Sequence, residues 1–86
     1  MTARELIEEA GYEDVIIYDN PSYDDAFVGV TNDNRAVYDY DKMLDWLVEK
    51  EGMDYDEAAD FVCYNDSFYY GEGYPIIINT LNTLRN

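Results

Sequence analysis

The chain contains no histidine, and Cys63 is its one cysteine. Without histidine, the Ser-His-Asp and Cys-His arrangements of hydrolytic enzymes and the usual zinc sites are excluded. A single cysteine cannot form an internal disulfide, and Cys63 lies near the apolar side of a predicted helix, which indicates a buried and unreactive thiol. Glycine-rich phosphate-binding motifs are also missing. We therefore predict that the protein is not an enzyme and that it has no catalytic residue, no cofactor and no metal site.

Basic residues are scarce as well, because five Lys and Arg residues stand against 20 Asp and Glu residues, which gives a net charge of −15. A charge magnitude of about 2–8 is enough to keep a small domain soluble. The excess negative charge repels itself in the compact state, so we expect binding to a partner to compensate for it. Nucleic acids and anionic membranes would be repelled, which leaves basic proteins and cations, and a basic protein surface is the expected partner.

Long apolar runs are absent from the sequence. None reaches the roughly 18 residues of a membrane-spanning helix, and the stretch from Met1 to Glu5 lacks the apolar segment of a signal peptide. We therefore expect a cytoplasmic protein. Hydrophobic residues nevertheless make up 48% of the chain, which is sufficient for one modest core. Residues 1–86 are predicted to form a single acidic domain, and the sequence leaves its oligomeric state open.

Local sequence patterns predict an α+β fold. Thr2 and Glu5 have the spacing of a capping box, and Asp41 and Asp54 are the predicted N-caps of two later helices. The predicted elements are a helix over 3–10, strands over 15–18, 26–31 and 36–38 with a turn at 32–34, helices over 42–51 and 55–65, and a strand over 76–78. This order, α-β-β-β-α-α-β, predicts a small three- to four-stranded, mainly antiparallel sheet with the helices packed on one face.

Tyrosine next to acidic residues is the most distinctive pattern, and it recurs in segments 12–14, 18–19, 23–25, 38–41 and 54–56. Tyrosine offers a large contact area and a hydroxyl group, while carboxylates complement the side chains of Arg and Lys. Together they suit a surface that binds a basic groove. The alternative is that the tyrosines are half-buried on strands and the acidic residues form a solvated face.

Acidic residues also recur at helical spacing. Asp41, Asp45 and Glu49 are four residues apart, as are Asp56 and Asp60. Neighbours at this spacing lie about 5–6 Å apart, which is near the separation of phosphates along one DNA strand. Such a row can occupy the phosphate-binding sites of another protein. The alternative is an ordinary polar helix face.

Five aromatic residues fall within eleven residues around two glycines, in and just before a predicted loop over 66–75: Tyr64, Phe68, Tyr69, Tyr70 and Tyr74. The loop is either a binding surface or a set of rings that closes the edge of the core. Trp46 is likewise an interface anchor or a core residue. The predicted partner-binding residues are therefore Asp39, Tyr40, Asp41, Asp45, Glu49, Asp54, Tyr55, Asp56, Glu57, Asp60, Tyr69 and Tyr70.

Taken together, the segments 15–18, 20–31, 35–43, 52–53, 57–58 and 70–76 resemble short acidic proteins of unassigned function from the genomes and prophages of Gram-positive gut bacteria. In size and charge, the chain is also similar to phage anti-CRISPR and antirestriction proteins, several of which act as DNA mimics.

That likeness implies a phage inhibitor that occupies the basic cleft of a CRISPR effector or another defence nuclease as a DNA mimic. Two alternatives stay open. One is a non-inhibitory phage or host accessory module for protein–protein interaction that binds through the Tyr-rich loop. The other is a domain that is acidic because its host is salt-loving.

Overall fold

The computed structural model describes residues 2–66, 71 and 73–80. The elements are α1 (Ala3–Glu9), a 3₁₀ turn (Asp24–Ala26), β1 (Phe27–Val30), β2 (Ala36–Asp39), α2 (Tyr40–Glu51), α3 (Tyr55–Asp66) and β3 (Ile76–Ile78). The predicted α+β class is confirmed. No helix in this described part of the chain combines the length and apolar character needed to cross a membrane.

Helix α1 begins at the predicted capping box. The Glu5 amide donates to Thr2 Oγ1 at 3.1 Å, and the Thr2 amide donates to Glu5 Oε1 at 2.9 Å. Because that carboxylate accepts the Thr2 amide, the pKa of Glu5 lies below its ordinary value. The Ala3 amide donates to Asp24 Oδ1 at 2.9 Å, which ties the start of the helix to the 3₁₀ turn.

The sheet is mixed and has the order β1-β2-β3. Strands β1 and β2 form an antiparallel hairpin, with an irregularity in register at Val28, between the pairs Phe27–Tyr38 and Gly29–Val37. The hairpin turn contains Asn34 at a φ of 69°, which asparagine tolerates well. Strand β3 pairs with β2 in parallel. The sheet is therefore less antiparallel than predicted, because α2 and α3 separate the two strands and return the chain to the same end of the sheet.

The predicted strand over 15–18 is wrong. The segment pairs with no strand of the described sheet, and its burial falls on Val15 and Tyr18, which are three residues apart. A strand would bury alternate residues instead. The segment is held by a side chain, since the Tyr18 amide donates to the Tyr38 hydroxyl at 3.3 Å.

Three buried tyrosines form the centre of the core, and we call them the tyrosine cluster: Tyr18, Tyr23 and Tyr38. The ring of Tyr18 meets that of Tyr23 edge to face with 5.4 Å between centroids, and that of Tyr38 with 4.8 Å. Such pairs contribute about 0.5–1.5 kcal/mol beyond the area they bury. These three members of the tyrosine–acid pattern are therefore core residues and not parts of a binding surface.

Asp39 joins the sheet to α2. Its carboxylate accepts the Lys42 amide at 3.1 Å, and so it is the N-cap of a helix that starts at Tyr40. The same carboxylate accepts the amide and the hydroxyl of Thr80, at 3.2 and 2.8 Å. The prediction that Asp41 caps this helix is wrong, because the helix follows β2 without a loop and Asp41 already lies in its first turn.

Helices α2 and α3 pack against each other through buried Met43, Leu47, Ala58 and Val62. The predicted cap of α3 is confirmed, since Asp54 Oδ1 accepts the Glu57 amide at 2.8 Å.

Cys63 is exposed, so the prediction of a buried thiol is wrong. Each residue turns a helix by about 100°. The side chain of Cys63 follows that of buried Val62 and is therefore rotated away from the core.

We expect stability to fall at alkaline pH because of Tyr38. Burial raises the pKa of Tyr38 to about 12 from its ordinary value of 10.0. Between these values the folded protein keeps a proton that the unfolded chain has released, so the free energy of unfolding falls as the pH rises. The stabilisation is fully present below about pH 10 and is lost as the pH rises to about 12. It amounts to at most about 3 kcal/mol. Urea unfolding followed by circular dichroism from pH 7 to pH 12 measures it.

Tyr38→Phe is the control for that experiment. At pH 7 the variant should be less stable by about 1 kcal/mol, because the Tyr18 amide loses its acceptor. Its stability should then fall less steeply than that of the wild type above pH 10. If the stability of both proteins fell equally steeply with pH, Tyr38 would not be the cause of the loss.

We also expect Asp39→Ala and Asp41→Ala to differ strongly in stability. Asp39→Ala removes the helix cap and leaves the Thr80 donors without that acceptor, which should cost about 2–4 kcal/mol. Asp41→Ala removes a half-buried carboxylate from the first turn of the helix and should cost no more than about 1 kcal/mol. Urea denaturation at neutral pH compares the two variants, and equal losses would refute the role of Asp39.

Candidate protein-binding surface

The carboxylates of Asp41, Asp45 and Glu49 lie on one side of α2, and we call them the acidic row. Their spacing of four residues places them about 6 Å apart along the helix axis. Met43 and Leu47, on the opposite side of the helix, are buried in the core. Packing of α2 therefore turns the row outward, with Asp41 and Asp45 half-buried and Glu49 exposed.

Tyr55, the first residue of α3, joins the acidic row. Its hydroxyl donates to Asp45 Oδ1 at 2.7 Å. The pKa of Tyr55 is raised, first by this hydrogen bond and by the charge of Asp45, and further by the charges of Glu49 and Asp41. The hydrogen bond therefore joins Tyr55 to the acidic row through Asp45, with Asp41 and Glu49 about one helical turn to either side on α2.

The site combines negative charge with an accessible aromatic ring. Tyr55 is 57% exposed although its hydroxyl is held by Asp45. Carboxylates form charge-assisted hydrogen bonds with Arg and Lys, and an aromatic face attracts the same cations. The arrangement is therefore suited to contact with basic side chains.

The acidic residues of α3 belong to a second group. Asp54, Asp56, Glu57 and Asp60 are all exposed. Glu57 and Asp60 line an open cleft of about 340 Å³ together with Met53, Phe61 and Tyr64. The sequence prediction missed this combination, although Glu57, Asp60, Phe61 and Tyr64 have the spacing of one helix face and Met53 lies just before the helix.

Several residues of the predicted surface lie elsewhere. Asp39 is only 1% exposed, and its carboxylate bonds within the fold. Tyr40 and Trp46 pack against the core, and Lys50 Nζ lies 5.4 Å from the centroid of the Trp46 ring. Tyr69 and Tyr70 lie outside the described residues. We therefore restrict the candidate surface to the acidic row, Tyr55 and the exposed carboxylates of α3.

Within residues 2–66, 71 and 73–80, no three carboxylate or thiol groups are placed to hold a metal ion.

We predict that Asp45→Asn lowers the pKa of Tyr55 toward the ordinary tyrosine value. The substitution removes the charge that most opposes ionisation of the hydroxyl and weakens its hydrogen bond. An NMR titration of ring-labelled tyrosine measures this directly. Asp60→Asn is the control, because Asp60 lines the cleft of α3 instead. A pKa of Tyr55 that is the same in both variants would show that Asp45 does not hold this hydroxyl.

The chain was compared with protein-family models, with curated proteins and with solved structures, and none of the three comparisons found a match.

Proposed function

We propose that the protein binds the basic, nucleic-acid-binding surface of an enzyme in the bacterial cytoplasm and inhibits it as a DNA mimic. A CRISPR effector or another defence nuclease is the expected target, and a phage is the expected source of such an inhibitor. The observation that carries this proposal is the outward acidic row of α2, joined to the exposed Tyr55 by the hydrogen bond from its hydroxyl to Asp45.

The spacing of the acidic row supports mimicry of a phosphate backbone. Consecutive carboxylates rise about 6 Å along the helix, which is nearly twice the rise of about 3.4 Å between phosphates of one DNA strand. A rigid row at this spacing offers a regular series of negative charges that can meet every second phosphate-binding position of a cleft. Because the helix is already folded, little conformational entropy is lost on binding.

Tyr55 adds an aromatic surface next to those charges. Clefts that bind single-stranded nucleic acid combine basic side chains with groups that stack on bases. A tyrosine ring that is half exposed and fixed through its hydroxyl can take the place of a stacked base. A charged row and a ring in one site thus resemble both parts of a nucleotide.

The net charge of −15 supports rapid association with such a target. Charge complementarity steers encounter and makes the association rate sensitive to salt. The interaction is therefore expected to weaken strongly at 1 M salt, where the screening length between exposed charges is about 3 Å.

The test is capture of the target from a lysate of Gram-positive gut bacteria. The tagged protein should retain one nucleic-acid enzyme at ~0.15 M salt and release it at ~1 M salt or on addition of duplex DNA. The purified enzyme should then lose activity when the protein is added. A partner that survives high salt and ignores DNA would refute mimicry and favour an accessory interaction of another kind.

Charge reversal locates the interface. Asp41→Lys, Asp45→Lys and Glu49→Lys, combined in one variant, should weaken inhibition at least about a hundredfold, because attraction to a basic cleft becomes repulsion. The matched control combines Asp19→Lys, Asp25→Lys and Glu51→Lys, which make the same change in charge at exposed positions outside the candidate surface. Circular dichroism checks that both variants fold. Equal inhibition by the two variants would exclude the acidic row as the interface.

A further inference from the structure

A groove between α1 and β1 carries apolar side chains that the proposed DNA mimicry does not use. We call it the edge groove; its volume is about 280 Å³, and its lining consists of Leu6, Ile7, Ala10, Tyr12 and the four residues Phe27, Val28, Gly29 and Val30. Leu6, Tyr12 and Val28 are 40%, 43% and 53% exposed. Exposed apolar side chains that gather around one concave surface are typical of an interaction site.

The lining places the groove along the edge of β1. Successive side chains of a strand point to opposite faces of a sheet, yet all four residues of β1 line this one groove. A cavity that contacts four consecutive strand residues runs along the side of the strand. That side is open in the described sheet, because β1 stands at its end and pairs with β2 alone.

Backbone groups of Val30 point toward this open edge. The Thr31 amide donates to the Arg35 carbonyl at 2.8 Å, so these two residues occupy a hydrogen-bonded position of the hairpin. The neighbouring pair, Val30 and Ala36, is then a non-hydrogen-bonded pair. In such a pair, the N–H and C=O groups point away from the partner strand. Val30 therefore presents a donor and an acceptor on the side of β1 where the groove lies.

Acidic side chains flank the edge groove. Glu9 is exposed and lies three residues after Leu6, which makes the two side chains neighbours on the surface of α1. Glu13 is exposed and follows Tyr12. The Asn34 side-chain amide donates to the Glu13 carbonyl at 2.9 Å, which holds Glu13 beside the turn that follows β1. An occupant with apolar and basic side chains is therefore complementary to the groove and its rim.

We propose that the edge groove binds an extended segment of a partner protein, which adds to β1 as a further strand. Its apolar side chains enter the groove between α1 and β1, and its intervening Lys or Arg side chains meet Glu9 and Glu13. Main-chain hydrogen bonds with Val30 supply affinity, and the alternating side chains supply specificity. This site lies on α1 and β1, so it is independent of the acidic row on α2.

A second copy of the chain does not complement this edge. Two molecules with a charge of −15 each repel one another, and pairing of β1 with β1 would bring Glu9 and Glu13 of both copies together. A basic segment of another protein would instead be attracted to Glu9 and Glu13. Charge therefore selects between the two occupants that a free strand edge can accept.

The probe is a fluorescent, capped peptide of about six residues in which valine and lysine alternate. Fluorescence polarisation at ~0.15 M salt measures its dissociation constant. The same peptide with glutamate in place of lysine tests charge complementarity. A third peptide, N-methylated at alternate residues, keeps the side chains and the charge but cannot form a strand ladder. The proposal expects binding of the first peptide and at least tenfold weaker binding of the other two.

Two variants separate the backbone contact from the side-chain contact. Val30→Pro removes the outward amide while leaving the pairing of β1 with β2, since proline is accepted on edge strands where its nitrogen faces outward. Val28→Lys replaces an exposed apolar side chain of the groove with a positively charged one. Ile16→Lys is the matched control at an exposed aliphatic residue outside the groove lining. Each groove variant should weaken binding at least tenfold, and the control should bind within twofold of the wild type.

Amide exchange followed by NMR gives a readout that is independent of affinity. Exchange of the Val30 amide should slow at least tenfold when the peptide is bound. Three results would overturn the proposal: equal binding of the N-methylated peptide, chemical-shift changes confined to the acidic row, or protection of the Val30 amide through dimerisation without peptide. Loss of binding in the Val30 and Val28 variants together with retained binding in the charge-reversed row would support this site whatever the fate of the DNA-mimic proposal.

Discussion

The buried carboxylate of Asp39 is the constraint on which the rest of the structure depends. Burial of a charge is costly unless hydrogen bonds replace the lost water, and here the donors are the Lys42 amide and the amide and hydroxyl of Thr80. One residue thereby ends β2, starts α2 and holds the chain that leaves β3. Since no loop separates β2 from α2, the direction of the helix relative to the sheet is fixed at this residue.

The orientation of α2 determines what the protein shows to its surroundings. Met43 and Leu47 are buried in the core, so the residues on the opposite side of the helix face outward. Like charges at this spacing repel by about 0.2–0.5 kcal/mol per pair, a cost that core packing easily exceeds. The hydrogen bond from Tyr55 to Asp45 then links the row to α3. The negative surface is thus a consequence of packing, and its cost is small enough for function to retain it.

Local patterns in the sequence predicted most of the helices and strands correctly. They did not identify the residues that join these elements to one another. The capping box at Thr2 and the cap at Asp54 depend on neighbours three residues away, and both were predicted correctly. The segment at Tyr18 depends on a partner 20 residues away. Asp39 caps α2 through the Lys42 amide, three residues away, but it also holds Thr80, 41 residues away, and no local pattern indicates that contact. The row itself was visible as a repeat of four, but its link to Tyr55 required the packing of α2 on α3.

Charge and shape act together at the free edge of the sheet. An uncovered edge strand usually threatens self-association, and proteins commonly block it with a bulge, a short strand or charged side chains. Strand β1 has four residues and an irregular register at Val28, and exposed carboxylates flank it. These features oppose pairing between identical acidic chains, but they do not oppose pairing with a basic segment. The same excess of negative charge opposes pairing between copies and, at the two proposed sites, favours partners of opposite charge.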